Sequence, residues 1–298
     1  MPRARRKLSP SQYRDIGFLL ATTPDEWDDF TKWFEGALKP DIRVNYLPPQ
    51  GASGDPKAIA GAAKDLAKYY PVIVTASTAA ALALKKATKG TNVQFVYASA
   101  GDPVSSGLSP QPGGNYTGGS NGQADSGVAV PRRVKRMVDN TAKFKPNFAV
   151  VGDYSDKAHK AAMKAVYSTL TQPPFSVPVP IPPSDPACLL DSSVTDFDAF
   201  MSNLAAAPNN VKSLYVCSDL WITVNAKALN RSAHRAGIKV MFEFKQINQN
   251  GGGDDSDQNS WEPLFTTAAD YVDQILNGKN AGDLKMYALA KKTNRRRR

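Results

Sequence analysis

Small polar residues follow several short apolar runs of this sequence, and their types suit the binding of a small charged molecule. Ser77 and Thr78 come after the run Val72–Val74 and open a helical segment. Because free N–H groups at a helix N-terminus favour anions, these two residues could bind a carboxylate. Asp102 and Asp219 follow two other runs and could bind an ammonium group. The alternative interpretation is that all four are ordinary N-caps and turn residues.

These polar residues belong to a regular alternation of apolar runs and amphipathic helical patterns. The runs are short and apolar with polar, Gly or Pro boundaries, as buried parallel strands are. They are Ile16–Leu20, Ile42–Leu47, Val72–Val74, Val93–Tyr97, Phe148–Val151, Leu214–Val216 and Val240–Phe244. Helical patterns lie between them, including one that starts behind Asp55-Pro56 and one that ends at Asn277-Gly278. The alternation predicts an α/β fold with two sets of parallel strands, whose ligands would bind beyond the carboxyl ends of the strands.

Three stretches lack a regular pattern and are predicted to be irregular. Gly101–Gly127 is rich in Gly, Ser, Pro and Asn, and Asn248–Ser260 contains three consecutive glycines. Gln172–Pro186 is rich in proline, which removes ladder hydrogen bonds, so we expect an edge segment and surface loop there.

The charge of the chain lies at its two ends. The net charge is +10, the first seven residues hold four bases without an acid, and the last eight hold six. The body is therefore neutral, which does not favour a nucleic-acid-binding face. We expect solvated basic tails at residues 1–7 and 293–298 that contact polyanions weakly. Cys188 and Cys217 lack metal-ligand spacing, and we expect each to be buried and inert.

The length and composition exclude several classes of protein. A chain of 298 residues with 42% hydrophobic residues is not disordered as a whole, and no apolar run is long enough to span a membrane. The residues from Leu8 to Asp15 are polar and do not form the apolar part of a secretory signal. The expectation is that the protein stays in the cytoplasm or that its sequence begins after a removed segment.

The stretch from Val72 to Gly119 resembles the substrate-binding proteins of ABC transporters, in the branch related to tryptophan- and tyrosine-binding members. The resemblance rests on four motifs, with weaker similarity over most of residues 14–290. The motifs are Lys85-Lys86-Ala87-Thr88, Asp102-Pro103-Val104, Gly107-Leu108 and Pro112-Gly113-Gly114-Asn115-Tyr116-Thr117-Gly118.

This resemblance implies a type 1 periplasmic-binding fold, in which two Rossmann-like α/β lobes are joined by three crossovers. The implied N-terminal lobe comprises residues 8–121 and 248–283, and the C-terminal lobe comprises residues 122–247 and 284–292. The crossovers would lie near Gly118–Gly122, Ile247–Asn250 and Gly282–Leu284. A ligand would bind in the cleft between the lobes and stabilise their closure about a hinge.

The resemblance also implies a function and a set of contact residues. It implies non-enzymatic capture of an amino acid or related carboxylate in the periplasm, with an ABC permease as partner and without a metal or cofactor. The alternative is a cytoplasmic ligand sensor or interaction scaffold that has lost transport. The implied ligand contacts are Ser77, Thr78, Ser99, Asp102, Tyr154, Ser218 and Asp219.

Other motifs indicate catalysis or metal binding less well. Ser120 lies in a G-x-S-x-G pattern, and Asp219 and His234 follow it in the order of a hydrolase triad. A glycine-rich stretch matches that pattern readily by chance. The P-loop spacing from Gly113 lacks its lysine, and the calcium-loop pattern from Asp255 lacks its glycine and closing glutamate.

Overall fold

The computed structural model describes residues 14–21, 28–48, 55–122, 129–153, 157–179, 181–191, 193–217, 220–257 and 260–288. The strands within this part are β1 Arg14–Leu19, β2 Ile42–Leu47, β3 Val72–Thr75, β4 Gln94–Ala100, β5 Tyr116–Ser120, β6 Phe148–Val151, β7 Ser213–Val216, β8 Lys239–Phe244, β9 Asp255–Asp257 and β10 Tyr287–Ala288. The helices within it are α1 Asp28–Ala37, α2 Pro56–Tyr69, α3 Thr78–Ala87, α4 Ala129–Asp139, α5 Lys157–Thr171, α6 Phe197–Ala205, α7 Leu220–Arg235, α8 Lys245–Gly251 and α9 Glu262–Leu276.

The strands form two parallel sheets, which confirms the predicted α/β fold. The first sheet has six strands in the order β10-β5-β4-β3-β1-β2, and the second has four in the order β6-β7-β8-β9. Every pairing between named strands is parallel. Because parallel pairing brings the carboxyl ends of neighbouring strands to one edge, each sheet presents a single edge at which its strand ends meet.

The first sheet is buried on both faces, and this explains its almost continuous apolar strands. Ile16 and Phe18 of β1 pack on one face with Phe34 of α1 and Phe265 of α9. Leu19 and its neighbours on the opposite face pack with α2 and α3. Successive side chains of a strand point to opposite faces, so both kinds of position must be apolar. All seven predicted runs are confirmed as strands.

The second sheet has the same construction. Val151, Leu214 and Val240 lie in one buried cluster, and Phe148 and Tyr215 lie in the cluster on the other face. The proline-rich stretch after α5 contains no strand within its described residues. Its Pro178 carbonyl accepts a hydrogen bond of 3.0 Å from the Phe148 N–H. It therefore runs beside β6, the edge strand of this sheet, as the prediction of an edge segment requires.

The predicted helix boundaries are explained by their caps. The Asp55 side chain accepts a hydrogen bond of 3.0 Å from the Lys57 N–H, and Pro56 occupies the first turn of α2. Helix α9 ends at Leu276, and Gly278 follows with a φ of 94°. A positive φ is a conformation that glycine adopts without steric cost, so the chain turns away from the helix there.

One expectation was wrong in the stretch Gly101–Gly127, because residues 116–120 form strand β5. Its glycines are required by close packing rather than by a loop. A Cβ at Gly118 would lie 2.1 Å from the Tyr97 carbonyl oxygen, and one at Gly119 would lie 2.4 Å from the Tyr287 ring. The strand pairs with β4 on one side and β10 on the other. Glycine therefore marks a close approach of neighbouring strands here.

A second expectation was wrong for residues 248–257, which were assigned to the N-terminal lobe. Strand β9 is part of the second sheet, and helix α8 packs against β8 and β9. The second crossover therefore lies between Asp257 and α9 rather than near Ile247–Asn250. The three glycines make this possible. Gly252 has a φ of 71° at the end of α8, and a Cβ at Gly253 would lie 2.5 Å from Phe242.

The end of the described chain also differs from the expected division into lobes. Residues 284–292 were assigned to the C-terminal lobe, but β10 pairs with β5 on the edge of the first sheet. The chain leaves β5 at Ser120 and continues into α4, which packs against α5 and β9 of the second lobe.

Candidate functional site

Two side-chain contacts bring the carboxyl edges of the two sheets together. Trp261, just after the second crossover, lies 5.3 Å between ring centroids from Phe30 of the first lobe and 4.7 Å from Phe244 of the second. Arg133 on α4 donates to the Gly122 carbonyl beyond β5 at 3.1 Å. Its other terminal nitrogen donates to Glu243, at the end of β8, at 2.7 Å. The strand ends of both lobes therefore border one interlobe region.

The first-lobe side of this region contains four of the predicted site residues. The Ser77 N–H donates to the Ser99 carbonyl at 2.8 Å, and the Gly101 N–H donates to Thr78 Oγ1 at 3.1 Å. Ser99 is buried, whereas Ser77, Thr78 and Asp102 are half-buried. Strands β3 and β4 are neighbours in the sheet, so residues distant in sequence meet at their carboxyl ends.

Ser77 has an unusual backbone conformation. Its φ is 84° and its ψ is 149°, a region that is occupied almost only by glycine. The Ser77 side chain accepts a hydrogen bond of 3.2 Å from the Ala80 N–H and thereby caps α3. The N–H groups of Thr78 and Ala79 belong to the first helical turn and have no acceptor within the helix. The strained residue thus stands beside the positive end of a helix dipole.

The loop that contains Asp102 is fixed from three sides. Asp102 Oδ1 accepts a hydrogen bond of 3.1 Å from the Ser105 N–H, so the side chain also shapes the turn. Lys85 of α3 donates to the Gly107 carbonyl and lies over the Tyr116 ring at 5.3 Å. The Tyr97 hydroxyl donates to the Leu108 carbonyl at 2.7 Å. These contacts hold the loop against α3 and β4.

The second-lobe side of the predicted site lies mostly outside the described residues. Tyr154, Ser218 and Asp219 are among the residues that the structure does not describe. They follow β6 and β7 in sequence, and their contact with a ligand stays a prediction. Cys217, which follows β7, is fully buried, and burial raises the pKa of its thiol well above the usual value.

Cys188 lies in a different core cluster from Cys217 and is also buried. Burial, with a smaller contribution from Asp185, raises the pKa of the Cys188 thiol to about 12. Both thiols are therefore protonated at neutral pH, and neither has the character of a nucleophile. The expectation that both cysteines are buried is confirmed.

The buried ion pair of Arg133 and Glu243 was not identified from the sequence. The two side chains are 1% and 0% exposed, and the Arg133 guanidinium also lies 5.0 Å from the centre of the Phe244 ring. A buried charge pair needs this number of partners because removing both ions from water is costly. Their separation of 110 residues leaves no local signal. The only hint was an acidic residue at the end of the apolar run Val240–Phe244.

The glycine-rich motif that carries the family resemblance has a structural role in its described contacts. The Asn115 side chain donates to Thr88 Oγ1 at 2.9 Å and to the Val93 carbonyl at 2.8 Å. The Gly113 N–H donates to Asp283 Oδ1 at 3.0 Å. The motif therefore ties β5 to the end of α3 and to the 3₁₀ turn at Ala281–Asp283. These contacts give the P-loop-like glycine spacing a packing explanation.

The catalytic and calcium motifs are not assembled by the described contacts. Ser120 is the last residue of β5, whereas His234 on α7 lies 2.9 Å from Asp254, the residue before β9. Asp255 is paired with Arg136 at 2.8 Å. In the part of the chain that the structure describes, no group of three or more His, Cys, Asp or Glu residues could hold a metal ion. No helix among the described residues is long and apolar enough to cross a membrane.

The fold is similar to that of solved substrate-binding proteins, although the sequence identities are low. A protein from Streptococcus pneumonia described as an ABC domain in complex with L-Trp matches with a TM-score of 0.75 and 17% identity, over 94% of this chain and 90% of that one. A ligand-free, open substrate-binding protein with adhesive properties from Clostridium difficile has a TM-score of 0.59 and 20% identity, over 93% and 89%.

A third match is an ABC transporter solute-binding protein from Burkholderia graminis in complex with D-arabinose. It has a TM-score of 0.62 and 15% identity, and the match covers 95% of both chains. No family model and no curated protein matches the sequence. The fold that the sequence resemblance implied is confirmed: this chain has the type 1 periplasmic-binding fold of ABC transporter substrate-binding proteins.

Proposed function

We propose that this protein captures a small organic molecule between its lobes, without chemical conversion, as a solute-binding component of an ABC importer. The fold supports this role, because its structural neighbours bind small ligands such as L-Trp and D-arabinose. The comparisons do not favour the alternative of a cytoplasmic sensor or scaffold.

The observation that carries the proposal is the strained backbone of Ser77 at the N-terminus of helix α3. Ser77 has a φ of 84° and borders the N–H groups of the first helical turn at the carboxyl edge of the first sheet. Strained non-glycine residues cluster at functional sites, and they persist where the surrounding structure holds them in place. An anionic group placed here would meet free N–H donors and the helix dipole.

The ligand class that fits this site is an amino acid or a related carboxylate. Its carboxylate would bind at Ser77 and Thr78, and its ammonium group would bind Asp102 on the neighbouring strand end. Asp102 is half-buried, and its carboxylate already accepts one N–H bond. It keeps unused acceptor capacity, since a carboxylate can accept several hydrogen bonds. Tyr154, Ser218 and Asp219 would complete the site from the second lobe.

A thermal-shift screen of refolded protein, freed of carried-over ligand, tests this proposal. The panel contains the L-amino acids, small carboxylic acids and monosaccharides including D-arabinose. A compound at 100 times its Kd stabilises the folded state by about 2.7 kcal/mol, which raises the Tm of a chain of this size by about 4 °C. We expect such a shift with an amino acid or carboxylate.

The outcomes of the screen separate the parts of the proposal. Stabilisation by monosaccharides alone would contradict the carboxylate assignment and retain solute binding. The absence of any shift across the panel would contradict solute binding itself. Asp102→Ala should weaken binding of an amino acid without unfolding the protein, whereas Asp65→Ala on the exposed face of α2 serves as the matched control.

A further inference from the structure

Trp261 occupies an unusual position between the two lobes. It is partly buried, and it packs against the hydrophobic core of the first lobe and against that of the second. Its ring contacts Phe30 at 5.3 Å and Phe244 at 4.7 Å between centroids. The ring pair with Phe244 is edge-on, with an interplanar angle of 63°. Aromatic pairs at these distances attract each other beyond the area they bury.

Both partners of Trp261 are themselves held firmly. Phe30 is 7% exposed and packs against Phe265 of α9 at 5.0 Å. Phe244 is 2% exposed, and the Arg133 guanidinium lies over its ring at 5.0 Å. Because Arg133 also binds the Gly122 carbonyl of the first crossover, the contact connects the two crossovers through one set of side chains. A movement that separates Phe244 from Phe30 would therefore break one of the ring contacts of Trp261.

The indole N–H of Trp261 opposes the favourable ring contacts. Its nitrogen is buried, and no hydrogen-bond acceptor is present for it among the residues that the structure describes. A buried donor without an acceptor lowers the stability of the packed state, because it would bond to water once exposed. The rings favour contact between the lobes, whereas the N–H favours separation.

We propose that Trp261 is an interlobe clasp, which holds the lobes together through Phe30 and Phe244 and sets the balance between closed and open forms without ligand. Its aromatic ring stabilises the closed form, and its unsatisfied N–H limits that stabilisation. The ring and the N–H thus act in opposite directions on one equilibrium. The clasp depends on the fold and its contacts, and it does not require that the proposed ligand be correct.

Distance measurements between spin labels test the clasp. The labels are attached at Lys64→Cys on α2 and Lys227→Cys on α7, which are exposed positions in different lobes. The natural cysteines, Cys188 and Cys217, are both 0% exposed, so we expect the label to react at the two introduced cysteines. Double electron–electron resonance on ligand-free, refolded protein then gives the populations of short and long interlobe distances.

We expect opposite effects from two substitutions of the same residue. Trp261→Ala removes both ring contacts and should raise the ratio of open to closed forms about tenfold. Trp261→Phe keeps an aromatic ring and removes the unsatisfied N–H, so the closed population should be at least as large as in the wild type. Phe244→Leu removes the ring pair on the second-lobe side and should also favour the open form. This variant keeps the proposal testable if Trp261→Ala does not fold.

The matched control is Trp33→Ala. Trp33 contacts Phe30 at 5.5 Å and Phe265 at 6.4 Å, both within the first lobe, so its loss should leave the interlobe distances unchanged. Unchanged distances in folded Trp261→Ala and Phe244→Leu would overturn the proposal. An equal shift in Trp33→Ala would overturn it as well, because the effect would then reflect general loosening of the first lobe.

Discussion

Ser77 offers a test in which stability and binding should change in opposite directions. Replacement by glycine relieves the backbone strain at a φ of 84°, which is worth about 2 kcal/mol. The greater freedom of glycine in the unfolded chain costs about 0.7 kcal/mol, and loss of the cap to the Ala80 N–H costs a few tenths more when glycine is the replacement. Ser77→Gly should therefore stabilise the fold by about 1 kcal/mol.

The matched variant is Ser77→Ala, which keeps the strain and loses the cap. It should destabilise the fold by about 1 kcal/mol, so that the two variants differ by about 2 kcal/mol. Urea unfolding followed by circular dichroism measures both values. Both variants lack the hydroxyl group and should bind the ligand more weakly than the wild type.

The reasoning would be refuted if Ser77→Gly were no more stable than Ser77→Ala. That result would mean that the backbone at this position stores no strain. Stable variants with unchanged ligand affinity would separate the two claims, because the strain would then exist without the proposed role of the hydroxyl group.

Three further predictions concern the framework of the site, each measured by urea unfolding. Arg133→Met leaves the buried Glu243 carboxylate without its ion pair and should destabilise the fold by about 3–5 kcal/mol; adding Glu243→Leu should recover most of this loss. Gly118→Ala places a Cβ 2.1 Å from a carbonyl oxygen and should cost about 1–3 kcal/mol; no loss would contradict the tight packing of β5. Burial opposes ionisation of Asp254, but hydrogen bonds from the Val240 N–H and from the His234 and Lys239 side chains outweigh it and lower the pKa of Asp254 below its usual value. The Asp254 carboxylate therefore contributes its full stabilisation above the unfolded-state pKa, and this contribution is lost as the pH falls through the folded-state pKa. In Asp254→Asn, the free energy of unfolding should fall less steeply with falling pH in this range.

The strands that could be predicted from the sequence are those whose own side chains are apolar because they are buried. Runs such as Ile16–Leu20 and Val240–Phe244 are buried on both faces, and an apolar pattern follows directly from that burial. Strand β5 could not be predicted in this way. Its Gly118 and Gly119 are required by the approach of the Tyr97 carbonyl and the Tyr287 ring, which belong to distant parts of the chain.

The residues of the candidate site that follow strand ends of the first lobe could be proposed from the sequence. Ser77 and Asp102 are placed by two neighbouring parallel strands, and this arrangement follows from the alternating pattern of the sequence. The contacts between the lobes could not be predicted from the alternating pattern of the sequence. Trp261 meets Phe244 across the second crossover, and the position of that crossover depends on how β9 joins the second sheet.

The central claim is that one small molecule binds between the lobes and contacts the head of α3. Calorimetric titration of the refolded protein with the compound that gives the largest thermal shift tests it most directly, using the wild type and Thr78→Val. The account predicts one binding site per chain, and affinity at least about tenfold weaker in a folded Thr78→Val variant, which corresponds to about 1.4 kcal/mol. Unaltered affinity in this variant, or the absence of saturable binding in the wild type, would contradict it.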